Sequence, residues 1–454
     1  MTRTLLVRDA EVLVTMDPDL GEIPGGGLFA RDGWIERVGP SSELPDGADE
    51  VFDAAGHVVL PGLVNTHHHL FQTLTRAVPE AATAPLFPWL QTLYPIWGRL
   101  TADDVAVATL VGLAELARSG CTTTSDHLYL FPNDVVLDVT VEAARDVGLR
   151  FHPARGSMSL GVSAGGLPPD ELVEDERAIL ADTARVVDAF HDPRPGAMTR
   201  IVVAPCSPFS VTPELMVESA RFARAHGLAL HTHLAETRDE VAFCEATFDA
   251  RPVAYAQRLG WLGDDVWFAH AVHLDDAELG TLAASGTGVA HCPTSNLRLA
   301  SGLAPLRSWL DHGVRVGLGV DGSASNDGGS LLAEARQAML LARLDAAEHG
   351  GPLLAARSAL HCATRGGAAV LGREDLGALT PGRVADVAAW RIDDLEHAGI
   401  ADPVSGLLLA QPTPVARSWV GGHPVVVDGK VVTFDVDAAV RRHHAARRRL
   451  LGDA

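Results

Sequence analysis

Between residues 57 and 320 the chain carries eight short apolar runs, each ending on residues that can bind a metal or move a proton. They read HVVLPGLVNTHHH, CTTTSDH, LRFHPAR, RIVVAPCS, LALHTHLAE, VWFAHAVH, TGVAHCPTSN and VRVGLGVDGS. Near-continuous Val/Ile/Leu runs mark strands buried on both faces, as in parallel sheets. Helical patterns separate them, and their start signals are legible. Thr101-Ala102-Asp103-Asp104 has capping-box spacing, and Thr212-Pro213 sets an N-cap before a proline at the first helical position. Eight strand–helix alternations predict an α/β protein built on a (β/α)8 barrel of TIM type.

The flanks pattern differently. Residues 1–58 alternate like a small β-sheet, with turn signals at Pro24-Gly25-Gly26-Gly27 and Pro45-Asp46-Gly47. A helical stretch over 331–371 follows the eighth strand. Short strands then surround the Asp428-Gly429 turn, and an amphipathic helix spans 435–451. Its basic run Arg447-Arg448-Arg449 reads as a solvated helix end. The expected organisation is residues 1–58 as the first part of a small composite β-sandwich, 59–371 as the barrel, and 372–454 as the second part plus a terminal helix.

Barrels of this type carry chemistry at the C-terminal ends of their strands, so polar residues there are a functional signal. His67 and His69 end the first strand two residues apart. Side chains at i and i+2 of an extended chain share a face, so both imidazoles can reach one ion. His231 and His233 repeat that spacing on the fifth strand, and Asp321 ends the eighth. Imidazole plus carboxylate suits a borderline divalent ion with one position open to water, and Zn, Fe and Mn all accept this donor set. One HxH is more often a half-buried strand pair. Two of them with a strand-terminal aspartate reverse those odds.

PGLVNTHHHL, HTHLAE, WFAHAVH and GVDGSASND resemble the amidohydrolase superfamily, specifically its mononuclear aminohydrolase (deaminase) branch. GALTPGRVADV resembles the strand motif that opens the C-terminal half of that family's sandwich. The resemblance covers essentially the whole chain. It implies His67, His69, His233 and Asp321 as ligands of one divalent metal ion, Zn first and Fe or Mn in its place. It also implies proton-handling roles for Glu236, His270 and Asp321. Such an ion lowers the pKa of bound water toward neutrality. Glu236, three residues past His233, can protonate a ring nitrogen and then the departing ammonia, a task that a burial-raised pKa suits. The only lysine, Lys430, lies outside the expected barrel, so no carboxylated lysine can bridge two metals.

Within that branch, NTHHHLFQTLTRA, PLFPWLQTLYPIWGRLT, GCTTTSDHLYLFP and HCPTSNLRLASG resemble the 8-oxoguanine deaminases. Triazine hydrolases of the hydroxyatrazine type and isoxanthopterin deaminases share part of the pattern. The implied activity is hydrolytic deamination of an aminated oxo-purine, with 8-oxoguanine giving urate and ammonia. The alternative is a sibling acting on isoxanthopterin, guanine or a hydroxy-triazine. Ring-opening hydrolysis and a non-catalytic scaffold are more distant alternatives. For the heterocycle, Gln72 could pair with a ring amide, and Trp89, with Phe87 and Tyr94, could wall a flat slot. Arg155 could hold a ring carbonyl, and His127 ends the second strand where it could face the pocket. Leu128 stands where the pattern has a second histidine.

Charge and cysteine usage narrow the partners. Against 36 basic residues stand 58 acidic ones, a net charge of −22 that is hostile to a phosphate backbone. No run approaches the roughly eighteen apolar residues of a membrane helix, and the N-terminus reads as strands rather than a signal peptide. Five scattered cysteines without CxxC spacing fit a reduced, cytoplasmic setting. The expected partners are a small heterocyclic substrate and further copies of the chain, with neither nucleic acid nor membrane.

Overall fold

A computed structural model describes residues 3–452. Five strands come first: Thr4–Val14 (β1), Glu22–Arg31 (β2), Trp34–Pro40 (β3), Glu50–Asp53 (β4) and His57–Pro61 (β5). Eight more form the barrel: Leu63–Asn65 (β6), Cys121–Leu128 (β7), Arg150–Ser157 (β8), Val202–Pro205 (β9), Ala229–Leu234 (β10), Val266–His270 (β11), Gly288–His291 (β12) and Arg315–Leu318 (β13). All pair in parallel, and β13 closes on β6 through Leu318 and Asn65. The last four strands are Val387–Arg391 (β14), Arg417–Val420 (β15), His423–Val427 (β16) and Lys430–Val431 (β17).

The expected barrel with an accessory sheet from both ends of the chain is what forms. The first apolar run divides, however. Its first half is β5, which pairs with β1 and with β14 in a nine-stranded sheet, and its second half is β6. Gly62 makes that crossing possible, because a Cβ there would lie 2.1 Å from Thr122 Oγ1 on β7. The sheet is docked on the barrel by a buried Arg150–Asp386 ion pair, with bonds of 2.8 and 3.1 Å. Asp386 also accepts the Gly421 amide at 2.7 Å. Trp390 of β14 packs its ring against Gly120 at the start of β7.

Inside the barrel, Val64, Ala154, Val202, Ala204 and Ala290 surround Trp267, and Ala368, Val370 and Leu371 close the floor. Small residues on most strands leave room for one large ring. Trp267 donates its Nε1–H to the Thr66 carbonyl at 3.1 Å and stacks on His231, so the floor directly supports the site above. Thr101 forms the expected capping box with Asp104, and Thr212 caps the helix opened by Pro213.

Two expectations need correction. The helical stretch over 331–371 is broken into Leu331–His349, Ala356–His361 and shorter turns. Gly350 and Gly351 take φ of 84° and 118°, and Pro352 follows. The basic end of the helix Val436–Leu451 is not merely solvated. Arg449 pairs with the buried Asp104, and His443 meets Thr73 Oγ1 at 3.1 Å. This helix therefore clamps the segment after β6.

Candidate active site

Histidines and acids from four strand ends (β6, β10, β11 and β13) converge at the C-terminal mouth of the barrel, all of them buried. His69 Nδ1–H donates to the His127 carbonyl at 2.7 Å, and His233 Nδ1–H donates to the Cys206 carbonyl at 2.7 Å. Both rings therefore present a bare Nε2, and these two atoms stand 3.1 Å apart. His67 is set by a relay. His231 donates Nδ1–H to the Trp267 carbonyl at 3.0 Å, which leaves its Nε2 to accept His67 Nδ1–H at 2.8 Å. His67 Nε2 is then buried with no hydrogen-bond partner.

Asp321 completes the convergence. Its Oδ2 accepts Ser295 Oγ–H at 2.5 Å and Ser325 Oγ–H at 3.1 Å. Its Oδ1 lies 3.2 Å from His67 Nε2 and 3.4 Å from His69 Nε2. Lone pairs at such separations repel one another unless a cation lies between them. Burial holds the pKa of His67 well below its usual value and that of His233 down to about 3, so both stay neutral, as metal-ligating imidazoles are. These four donors fit a single divalent ion.

The proton-handling pair lies alongside. His270 Nδ1–H donates to Asn296 Oδ1 at 2.9 Å, turning Nε2 toward Glu236 Oε2 at 3.6 Å and Asp321 Oδ2 at 3.9 Å. Burial lowers the His270 pKa, but the Glu236 and Asp321 carboxylates outweigh it and the net shift is upward. Burial raises Glu236, whose Oε1 accepts Ser301 Oγ–H at 3.3 Å. Ala235, His270, Ala271 and Asp321 all take positive φ, from 49° to 72°. Four left-handed non-glycine residues at one barrel mouth are strain held by the surrounding fold, as functional sites commonly store it.

Above the cluster lies a narrow cleft that opens to solvent, with the cluster at its floor. Trp89, Tyr94, Tyr129 and Phe209 supply aromatic walls, and Gln72, Ser207 and Ser325 supply polar groups. Gln72 is held only by long contacts, 3.5 Å to the Tyr129 hydroxyl and 3.4 Å from the Ala324 amide, so its amide is free to pair with a ligand. It packs directly on Gly322, where a Cβ would lie 1.9 Å from Gln72 Oε1.

Two expected substrate contacts are not brought to the cleft. The Arg155 guanidinium bonds Asp182 at 2.7 Å and Glu174 at 2.8 Å and lies over the Phe131 ring. Two carboxylates from the following segment satisfy it as a structural ion pair. The ring of His127 lies against the cluster rather than in the cleft, its Nε2–H donating to the Ala204 carbonyl at 2.8 Å. A nitrogen of that ring lies within 4.8 Å of the His67, His69 and His233 donors, and the main-chain oxygen of His127 holds His69. Phe87 packs on Phe209 rather than lining the cleft. Missed from the sequence were Ser207 and Phe209 of the β9 loop, Tyr129, and the supports Ser295 and Asn296. The last two lie within HCPTSN, where a strand-end signal was already visible. Lys430 sits in β17, away from the barrel.

Residues 58–432 match the Amidohydrolase family. The chain is 48% identical to an 8-oxoguanine deaminase of Pseudomonas aeruginosa, over 94% of this chain and 95% of that protein. It is 40% identical to a hydroxydechloroatrazine ethylaminohydrolase of Pseudomonas sp. strain ADP, with 94% and 90% covered. Among solved structures, an atrazine chlorohydrolase from Arthrobacter aurescens TC1 complexed with zinc superposes with a TM-score of 0.94 at 34% identity, over 98% of this chain and 100% of that one. Strand-end pattern, barrel and sequence match agree along most of the length: this chain belongs to the amidohydrolase family.

Proposed function

We propose that the protein is a metal-dependent aminohydrolase that deaminates 8-oxoguanine to urate and ammonia. The observation that carries this reading is the set of four buried acceptors aimed at one point beside the His270–Glu236 pair, beneath a cleft walled by aromatic rings. The 48% identity to an 8-oxoguanine deaminase supports the substrate. His67, His69, His233 and Asp321 would hold the ion, zinc by analogy with the triazine-hydrolase relative. When bound, that ion acidifies a water toward neutral pH and polarises it for attack.

The chain's own groups do the rest. Asp321 and His270 Nε2 orient the attacking water and take its proton. Glu236, whose pKa burial raises, carries a proton to the ring nitrogen beside the amine-bearing carbon. It then relays the water-derived proton to the departing ammonia. Aromatic walls exclude bulk water and fix the ring plane, and Gln72 matches its donor and acceptor to a ring amide. Five free, buried cysteines and the acidic charge fit a cytoplasmic enzyme without nucleic-acid partners, and we propose that it acts as a homo-oligomer. Among the described residues, no helix is long and apolar enough to cross a membrane.

Ammonia release by the zinc-loaded protein, with 8-oxoguanine, guanine, isoxanthopterin and hydroxyatrazine side by side, tests the proposal. Turnover dominated by 8-oxoguanine is expected. Preference for another ring would overturn the substrate and keep the chemistry. Silence on all four with metal bound would overturn both.

A further inference from the structure

Glu240 is a fully buried acid with no cationic partner among the described residues, a costly placement unless its charge is used. It sits at the third position of the helix Arg238–Phe248, whose N-cap is Thr237. A glutamate there ordinarily reaches back to the amide of the capping residue itself. Here it reaches past the cap. Oε1 accepts the Ala235 amide at 2.7 Å, and Oε2 accepts the Glu236 amide at 2.9 Å.

Both oxygens accept N–H groups; burial lifts the Glu240 pKa to about 7, and the two amides and the positive end of the helix work against that rise. The residue held between β10 and Glu236 is Ala235, at φ 54°, a conformation that an unsupported alanine leaves. The other side of this turn is held by His273 N–H on the Ala235 carbonyl at 3.0 Å and Ala271 N–H on the Leu234 carbonyl at 3.1 Å. Among the described residues, only Glu240 holds the amide side.

We infer that Glu240 is the positioning residue for Glu236, a carboxylate clamp on two successive amides that fixes where the Glu236 side chain departs from the backbone. The inference rests on Glu236 acting as the proton carrier. Without the clamp the Ala235 turn relaxes, and Glu236 moves away from His270 Nε2 while His67, His69, His233 and Asp321 stay put. A glutamine at this position can accept only one of the two amides and presents an N–H to the other.

The test is Glu240→Gln in the zinc-loaded enzyme, read by steady-state kinetics, metal content and amide hydrogen exchange. A displacement near 1 Å at a reacting group costs on the order of 100-fold in rate, so kcat should fall by about that factor with KM and metal content unchanged. Exchange should quicken in the peptide over residues 234–237 and not around 67–69 or 321. Ala235→Gly added to Glu240→Gln should restore part of the lost kcat, because glycine adopts φ near 54° unaided. A merely structural buried acid would not be rescued that way. Unchanged kcat, a loss that tracks lost metal, or unaltered exchange overturns the inference. Should Glu240→Gln fail to fold, Glu240→Asp is judged by the same criteria, since it keeps the charge but cannot span both amides. The exchange result needs no substrate, so a wild-type enzyme inert toward 8-oxoguanine would sink the proposed function and leave Glu240 to be decided separately.

Discussion

The bare Nε2 of His67 is fixed from a carbonyl two rings away, and that relay can be cut. Trp267 C=O fixes His231, and His231 Nε2 fixes the proton of His67 on Nδ1. His231→Phe keeps the ring volume and the stacking on Trp267, now at 4.5 Å between centroids and 16° between planes, but removes the acceptor. His67 Nδ1–H is then left unpaired at a fully buried position, a cost of about 1–3 kcal/mol. Its escape is to move the proton to Nε2, which blocks the face proposed to bind metal. Loss of such an outer partner lowers metal affinity by about 10–100-fold, or about 1.4–2.8 kcal/mol at ~1.4 kcal/mol per decade. His231→Gln restores an acceptor and should recover much of the difference. Competition against a chromophoric chelator measures it, with thermal denaturation of metal-free and metal-loaded protein as the companion. Wild-type affinity in His231→Phe, or a glutamine variant no better than phenylalanine, would refute the relay.

Three further outcomes are expected. Glu236→Gln should cut kcat by about 10²–10⁴-fold with metal content intact, and near-normal turnover would remove Glu236 from the mechanism. Arg155→Ala should cost about 3 kcal/mol of stability, the low end for a broken buried pair because Glu174 and Asp182 keep 23% and 26% exposure. Its KM for the substrate should not change, and a raised KM measured on folded protein would return Arg155 to the cleft. Burial lifts Glu334 from 4.5 to about 7, so the folded protein retains a proton that the unfolded chain has released. Stability should therefore fall as pH rises from about 4.5 to about 7. Glu334→Gln should flatten that decline in thermal midpoint against pH, and parallel curves would contradict the assignment.

The barrel was legible because strands buried on both faces leave long apolar runs, and because its chemistry falls where those runs stop. His67, His69, His233, Glu236, His270 and Asp321 meet in space as their strand-end positions suggest. Position along a strand does not say what else competes for a side chain. Arg155 ends β8 as a substrate contact would, yet Glu174 and Asp182 claim its guanidinium. His127 likewise ends β7, and its ring turns to the Ala204 carbonyl. The role of Glu240 was hidden for another reason: Thr237-Arg238-Asp239-Glu240 has the spacing of an ordinary helix cap, and only the geometry shows the side chain overshooting it. The division of HVVLPGLVNTHHH between two sheets was hidden too, since both halves are equally apolar.

The accessory sheet also sets a schedule for biosynthesis. One edge of β5 is covered at once by β1, but its other neighbour, β14, is about 330 residues further along the chain. At the ~5–20 residues per second of translation, that edge waits roughly 15–65 s for its partner. During this interval it offers unpaired amides and carbonyls on Val58, Val59 and Leu60, residues that any other nascent strand could match. The slower the ribosome, the longer that edge stays open. A strand-edge binder present during synthesis should therefore trap chains before β14 emerges, and the same binder added to folded protein should not.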